Sequence, residues 1–230
     1  MVFALFIISI FSPLMSEEAW VELFNGKDFT GWEQKGGTAP YIIRDGAIVG
    51  TSKLKTPNSF LCTSKIYSNF ILELEYKQDA RLNSGVQFRS NSVADYKKGV
   101  VHGYQYELEN VNQNRFWTGG IYDEQRRGWI YPSKDNKELA AKFAEQGKRL
   151  TKKDDWNKLR IEAKGKSIKT YLNGELRADL EDGVTLSGFI ALQVHSVGDK
   201  DVIPMEVQWR NIRIIELDND SVIENLVNPN

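Results

Sequence analysis

Short alternating segments separated by two-residue turns constrain the fold of this chain more than any other feature. Asn25-Gly26, Asp45-Gly46 and Asn173-Gly174 each follow a short segment rich in apolar and β-branched residues. Such pairs favour tight turns because asparagine, aspartate and glycine tolerate a left-handed backbone. The chain is therefore predicted to consist largely of β-strands joined by hairpins.

One segment is typical of a helix. Residues 138–147 place Glu138 and Lys142 one helical turn apart, and Gly147 stands where the helix is predicted to stop. Many short strands with one minor helix predict an all-β sandwich, in which two sheets enclose the core.

Charge and cysteine content exclude several classes of function. The 230 residues include 30 basic and 31 acidic side chains, a formal net charge of −1. This near-neutral charge creates no positive electrostatic field that would attract nucleic acid or an anionic membrane, so neither is expected as a partner. The single cysteine, Cys62, excludes an intrachain disulfide and a cysteine-rich metal motif, and its apolar neighbours predict a buried side chain.

The two ends of the chain differ from the rest. Residues 1–15 are almost wholly apolar and too short to span a bilayer comfortably, as in a secretory signal, although Lys and Arg are missing from the start. We expect a signal peptide over residues 1–16, one sandwich domain over 17–217 and a polar tail over 218–230. The protein is then expected to be exported to the periplasm or the extracellular space, with no stable membrane insertion after signal removal.

Three of the predicted strands repeat one design, with an apolar face and a polar reverse face. The polar faces carry Gln87 and Arg89 in the first strand, Gln105, Glu107 and Glu109 in the second, and Gln193 and His195 in the third. If the strands are neighbours in one sheet, these side chains form a polar floor. Fixed, planar donors and acceptors of this kind suit the hydroxyl groups of a sugar.

A long aromatic loop region follows the second of these strands. Trp117, Tyr122, Trp129 and Tyr131 carry flat rings that can pack against the C–H face of a sugar. At least two of the four are expected to pack into the core instead. The predicted ligand is a small carbohydrate or glycoside.

Several motifs together resemble one known family. They are Leu23-Phe24-Asn25-Gly26, Asn83-Ser84-Gly85, Gly103-Tyr104-Gln105-Tyr106-Glu107, Thr118-Gly119-Gly120-Ile121-Tyr122-Asp123-Glu124 and the stretch from Ser187 to Ser196. From about Trp20 to Leu217 the chain is similar to the 3-keto-disaccharide hydrolase family. The resemblance implies a concanavalin A-like jelly-roll β-sandwich with one short helix in a loop. It also implies a secreted hydrolase for glycosides that carry a ketone at sugar carbon three.

Such a reaction needs a base, an acid and a group that holds the enolate oxygen. We assign Glu107 and His195 as the acid/base pair, in either order, and Arg89 as the oxyanion holder. Gln87, Gln105, Gln193, Tyr122 and Trp117 are the predicted substrate-binding residues. No cofactor is otherwise required, but a divalent cation bound by Glu107 and His195 is an alternative to Arg89 as oxyanion holder.

Two other functions fit the same residues. An ordinary two-carboxylate glycosidase would use Glu107 and Glu109, which share a strand face. A non-catalytic, lectin-like carbohydrate-binding module is the other alternative, because sandwich folds host both enzymes and binding proteins.

Overall fold

The computed structural model describes residues 20–109, 111–198 and 204–218, which form a jelly-roll β-sandwich of two antiparallel sheets with one α-helix. The strands are β1 (Val21–Glu22), β2 (Trp32–Gly36), β3 (Tyr41–Arg44), β4 (Ala47–Thr51), β5 (Ser59–Thr63), β6 (Phe70–Gln78), β7 (Ser84–Asn91), β8 (His102–Leu108), β9 (Ile121–Glu124), β10 (Gly128–Tyr131), β11 (Asn157–Lys164), β12 (Ser167–Leu172), β13 (Glu175–Glu181), β14 (Phe189–Val194) and β15 (Glu206–Glu216). The helix α1 (Lys137–Leu150) connects β10 to β11. The predicted fold class is confirmed.

The two sheets have distinct strand orders. The back sheet runs β13-β12-β11-β6-β15-β4-β3, and β1 pairs with β15. The front sheet runs β10-β9-β8-β7-β14-β5-β2. The three strands predicted to share a polar floor, β8, β7 and β14, are therefore direct neighbours at the centre of the front sheet.

The core lies between the sheets and is built from the apolar faces of their strands. Val86 and Phe88 of β7 and Ile190 and Leu192 of β14 are fully buried there, and Leu72 of β6 belongs to the same cluster. Burial of each such side chain contributes about 1.5 to 3 kcal/mol. Because strand side chains alternate, this inward apolar face directs the polar residues of β7, β8 and β14 to the outer face.

Two of the predicted turns close hairpins. Asp45 and Gly46 have φ values of 52° and 72° between β3 and β4, and Asn173 and Gly174 have 51° and 90° between β12 and β13. Positive φ at both central positions is the geometry that matches the twist of paired strands. Asn25-Gly26 forms a loop instead, because β1 pairs with β15 and β2 pairs with β5.

The helix runs beyond its predicted end. It begins after Asn136, whose side chain accepts a hydrogen bond from the Leu139 N–H at 3.0 Å, and it ends at Leu150. Gly147 lies inside it and does not stop it. A Cβ at position 147 would lie 2.0 Å from the Phe116 carbonyl oxygen, so the glycine permits close approach of that loop.

A bulge in β7 overturns the expected placement of Arg89. The register of β7 against β8 shifts between Phe88 and Asn91, and Arg89 has a left-handed φ of 46°. This irregularity interrupts the two-residue alternation, so Arg89 does not share the outer face with Gln87. Its buried guanidinium donates hydrogen bonds to the carbonyl oxygens of Ser68 and Gly165, each at 2.7 Å.

The predicted signal peptide, residues 1–16, lies outside the described residues, as do residues 219–230 of the predicted tail. Both assignments stay predictions. Within the described ranges, no helix has both the length and the apolar character that a membrane crossing requires.

Candidate active site

A cavity of about 800 Å³ opens on the outer face of the front sheet. Glu107 and Gln105 of β8 contribute to its floor, and His195 lines it directly after the end of β14. Residues 97–101 and strands β9 and β10 supply walls. The imidazole and the carboxyl group predicted to act together therefore lie on one face of one sheet, with only β7 between their strands.

Glu107 is a buried carboxyl group held by two amides. It is 4% exposed, and it accepts hydrogen bonds from Asn83 Nδ2 at 2.5 Å and from Gln105 Nε2 at 2.8 Å. Burial raises its pKa from the ordinary 4.5 to about 7, although the two amide hydrogen bonds act in the opposite direction. Near neutral pH this group can therefore either accept or give a proton.

His195 is half-buried and lines the cavity. Its Nδ1 lies 2.6 Å from the carbonyl oxygen of Ser196. A carbonyl oxygen only accepts hydrogen bonds, so Nδ1 carries the proton of the neutral ring. Nε2 is then the nitrogen left for proton exchange with a substrate.

Glu124, at the end of β9, is a second buried carboxyl group on the cavity and was not singled out from the sequence. It is 6% exposed and accepts hydrogen bonds from Asn58 at 3.4 Å and Gln125 at 3.2 Å. Burial raises its pKa, and the charge of His195 opposes this rise. The signal was its position two residues after Tyr122 on one strand, which places both side chains on the same face.

Arg115 is a guanidinium on the cavity wall that the sequence interpretation also missed. It forms an ion pair with Glu109 and lies 4.7 Å from the ring centre of Trp129. Its charge lowers the pKa of Glu107 against the larger effect of burial. The Glu109 carboxylate also accepts a hydrogen bond from the Trp117 N–H at 2.7 Å, and it does not line the cavity.

Tyr122 and Trp129 form the aromatic wall of the cavity. They pair across β9 and β10, and their rings meet edge to face at 5.5 Å. Trp117 is 8% exposed and its ring packs edge to face against Trp129 at 4.8 Å, so it supports the wall without lining the cavity. Tyr131 packs against the core and Phe143. Two of the four aromatic residues are thus packed away, as expected.

The remaining predicted substrate-binding residues are less accessible. Gln105 lines the cavity, but Gln87 is fully buried and bonded to Gln105 and Ser90. Gln193 is also fully buried, and neither polar atom of its amide has a hydrogen-bond partner among the described residues. Of the eight predicted site residues, Glu107, His195, Gln105 and Tyr122 line the cavity, whereas Arg89, Gln87, Gln193 and Trp117 do not.

The donor groups that could hold a metal ion are few within the described residues. Within residues 20–109, 111–198 and 204–218, no group of three or more His, Cys, Asp or Glu side chains is arranged to hold one. The Glu107 carboxyl group and the His195 imidazole, which were predicted to hold a divalent cation, each have a protein hydrogen-bond partner.

Solved structures with the same fold include several carbohydrate-related proteins. A proposed glycosyl hydrolase from Parabacteroides distasonis is 20% identical, with a TM-score of 0.59 over 87% of this chain and 95% of that chain. A galectin-like protein of unknown function from Bacillus subtilis is 11% identical, with a TM-score of 0.59 over 86% and 94%. The β-glucanase of Bacillus licheniformis is 12% identical, with a TM-score of 0.51 over 87% and 98%. At these identities the likeness establishes the fold.

Comparison with curated protein sequences gives no match. The family model of the 3-keto-alpha-glucoside-1,2-lyase-like domain, in contrast, matches residues 19–215, which include nearly all of both sheets and every residue of the cavity. Membership of this family supports a carbohydrate-active function. The expected family is therefore confirmed: the chain belongs to the family of 3-keto-alpha-glucoside-1,2-lyase-like domains.

Proposed function

We propose that this protein cleaves 3-keto-glycosides by elimination followed by addition of water. The observation that carries the proposal is the buried Glu107 carboxyl group in the floor of a cavity that His195 also lines. Burial raises the pKa of this carboxyl group to about 7. A ketone at sugar carbon three acidifies the proton on carbon two. A well-placed base of moderate strength can remove that proton, and the family name agrees with cleavage across carbons one and two.

Glu107 is the proposed base. Its two oxygens accept N–H groups from Asn83 and Gln105, and these hydrogen bonds favour the ionised form that can take a proton. Proton removal from carbon two moves an electron pair toward the ketone oxygen and forms an enolate. Collapse of the enolate forms a double bond between carbons one and two and breaks the bond from carbon one to the glycosidic oxygen.

His195 is the proposed acid. The leaving oxygen needs a proton, and Nε2 of the imidazolium form can donate one. The nearby Glu124 carboxyl group, which responds to the charge of His195, can balance that imidazolium. Addition of water to the double bond, with its hydroxyl on carbon one and its proton on carbon two, then gives net hydrolysis.

Arg115 replaces Arg89 as the proposed holder of the enolate oxygen. Its guanidinium lines the cavity and lies within electrostatic range of Glu107, whereas Arg89 is hydrogen-bonded to backbone carbonyl oxygens away from it. Positive charge at the developing oxyanion stabilises the transition state more than the ground state. Tyr122 and Trp129 provide an aromatic wall for the sugar ring.

The test uses a 4-nitrophenyl 3-keto-glucoside with hydrogen or deuterium at carbon two, and it measures nitrophenol release. We expect turnover with a primary isotope effect, and loss of turnover in Glu107→Gln and His195→Ala while the circular dichroism spectrum is retained. Glu145→Gln, an exposed carboxyl change on α1, is the control and should be fully active. Full activity in either site variant would remove that residue from the mechanism.

A two-carboxylate glycosidase is the second candidate, but with a different pair. Glu107 and Glu124 both line the cavity, and burial raises the pKa of each. Glu109 does not take part because it is paired with Arg115. Turnover of the unoxidised glucoside without an isotope effect from carbon two would favour this function. Binding of both sugars without any product would favour the lectin-like alternative.

A further inference from the structure

A series of side-chain hydrogen bonds crosses the front sheet from β7 to β8 beneath the cavity. Ser90 Oγ lies 2.8 Å from Gln87 Oε1, Gln87 Nε2 donates to Gln105 Oε1 at 2.5 Å, and Gln105 Nε2 donates to Glu107 Oε2 at 2.8 Å. Ser90 and Gln87 are fully buried and Gln105 is 2% exposed. Water therefore has little access to compete for these bonds.

The direction of every bond in this series follows from its last member. An ionised carboxylate only accepts hydrogen bonds, so Gln105 must turn its Nε2 toward Glu107. Gln105 Oε1 then faces Gln87, which must offer its own Nε2, and Gln87 Oε1 in turn faces the hydroxyl group of Ser90. The Ser90 hydroxyl also lies near two backbone carbonyl oxygens, but at the longer distance of 3.2 Å. Hydrogen bonds in series polarise one another, more so in a buried site.

The backbone provides the space that this series needs. A Cβ at Gly85 would lie 2.4 Å from Gln105 Cδ, and a Cβ at Gly103 would lie 2.4 Å from Ser90 Oγ. The bulge at Arg89 places Ser90, rather than the arginine, beside Gln87 on the outer face. Gly85, Gly103 and the bulge thus make room for the side chains of Ser90, Gln87 and Gln105.

We propose that Ser90 and Gln87 are positioning residues that hold the Gln105 amide with its N–H toward Glu107, and so keep the carboxylate oriented toward the substrate. This role rests on the function proposed above. Neither Ser90 nor Gln87 lines the cavity, so in this proposal both act through Gln105 rather than by touching the substrate.

Other charged and titratable groups surround Glu107. They are Glu109 on the same strand, Arg115 on the cavity wall, Tyr122 on β9, and Glu124 and His195 on the same cavity. Substitutions at positions 87 and 90 change none of these groups. A change in the titration of Glu107 in such variants therefore reports on the hydrogen-bond series.

The first measurement needs no substrate. Protein labelled with carbon-13 at the glutamate side-chain carboxyl groups is titrated by NMR, and the Glu107 signal is assigned by its absence in Glu107→Gln. Gln87→Met should raise the titration midpoint by about half a pH unit or more, because the weakened amide hydrogen bond stabilises the carboxylate less. Ser90→Ala should raise it by a smaller amount. If Gln87→Met fails to fold, Ser90→Ala, which removes one oxygen atom, carries the test.

Ser84→Ala is the matched control. Ser84 is a fully buried serine on β7 that donates to the Gln193 carbonyl oxygen at 2.6 Å and takes no part in the series. Its replacement should leave the midpoint unchanged. The same upward shift should appear in the pH dependence of kcat/KM for Gln87→Met, with KM unchanged at high pH.

An unchanged midpoint in both Gln87→Met and Ser90→Ala, or an equal shift in Ser84→Ala, would overturn the positioning role. A shifted midpoint in protein that does not turn over a 3-keto-glycoside would support the positioning of Glu107 and overturn the catalytic function. The two proposals can therefore fail separately.

Discussion

Replacement of Glu107 by glutamine should change how the stability of the fold depends on pH. The carboxyl group is 4% exposed, and burial raises its pKa from 4.5 to about 7. A carboxyl group whose pKa is higher in the folded than in the unfolded state favours folding most at low pH. For Glu107 this is below pH 4.5, where the group is protonated in both the folded and the unfolded state. Its contribution is lost as the pH rises, and the loss is complete above about pH 7.

The magnitude follows from the two pKa values. Linkage between proton binding and folding gives a loss of about 2.5 kcal/mol between pH 5 and pH 8 from this one group. The Glu107→Gln variant has no ionisable group at the position and should not show that loss. The new glutamine also places its own NH2 group against an N–H donor of Asn83 or Gln105, which destabilises the variant by about 1 to 3 kcal/mol. This destabilisation is the same at both pH values, so it cancels in the comparison.

Urea denaturation at pH 5 and pH 8 measures the difference. Between pH 5 and pH 8 the free energy of unfolding should fall by about 2.5 kcal/mol more in the wild-type chain than in the variant. In thermal denaturation the same difference corresponds to about 5 to 10 °C in Tm. Glu145→Gln, on the exposed face of α1, should behave like the wild type. A difference below about 0.5 kcal/mol for Glu107→Gln would show that the carboxyl group is solvated, and the argument for a base titrating near pH 7 would fail.

Three further predictions concern the Gln105 amide, the buried Arg89 and the aromatic wall of the cavity. Gly85→Ala should lower kcat by about tenfold or more, because the new Cβ displaces the Gln105 amide. The neighbouring Ser84→Ala should retain activity, and equal kcat values in the two variants would contradict the prediction. Arg89→Met should destabilise the fold by about 2 to 4 kcal/mol in urea denaturation, since two carbonyl oxygens lose their donor, while kcat per folded molecule stays the same. A fold of unchanged stability would contradict that assignment. Trp129→Ala should raise KM about tenfold in steady-state kinetics, and Trp129→Phe should raise it less, because phenylalanine keeps an aromatic ring. Equal KM values in the two variants would exclude ring contact with the sugar.

The alternation of side chains made much of the site predictable from the sequence. Glu107, Gln105 and His195 could be assigned to one polar face because their apolar neighbours had to point into the core. That β8, β7 and β14 are neighbours could only be a hypothesis, because strand order depends on contacts distant in the chain. The resemblance to a known family favoured a sandwich, and the structure confirms that the three strands are neighbours.

Arg89 and Glu124 show what sequence periodicity leaves undecided. The bulge at Arg89 inserts a left-handed residue into a strand, and nothing in the local sequence announces a positive φ at an arginine. Alternation places Glu124 on the same face as Tyr122, but it does not show that this carboxyl group would be buried against Asn58, which is distant in the chain. Both outcomes depend on tertiary packing.

The position of β7, β8 and β14 in the middle of the front sheet has a consequence for how the protein loses activity. Central strands exchange their amide protons mainly through global opening, whereas edge strands fray at lower cost. A catalytic group on such strands shares the cooperativity of the whole sandwich. Thermal inactivation should therefore coincide with the main unfolding transition, and there should be no folded, inactive intermediate before it.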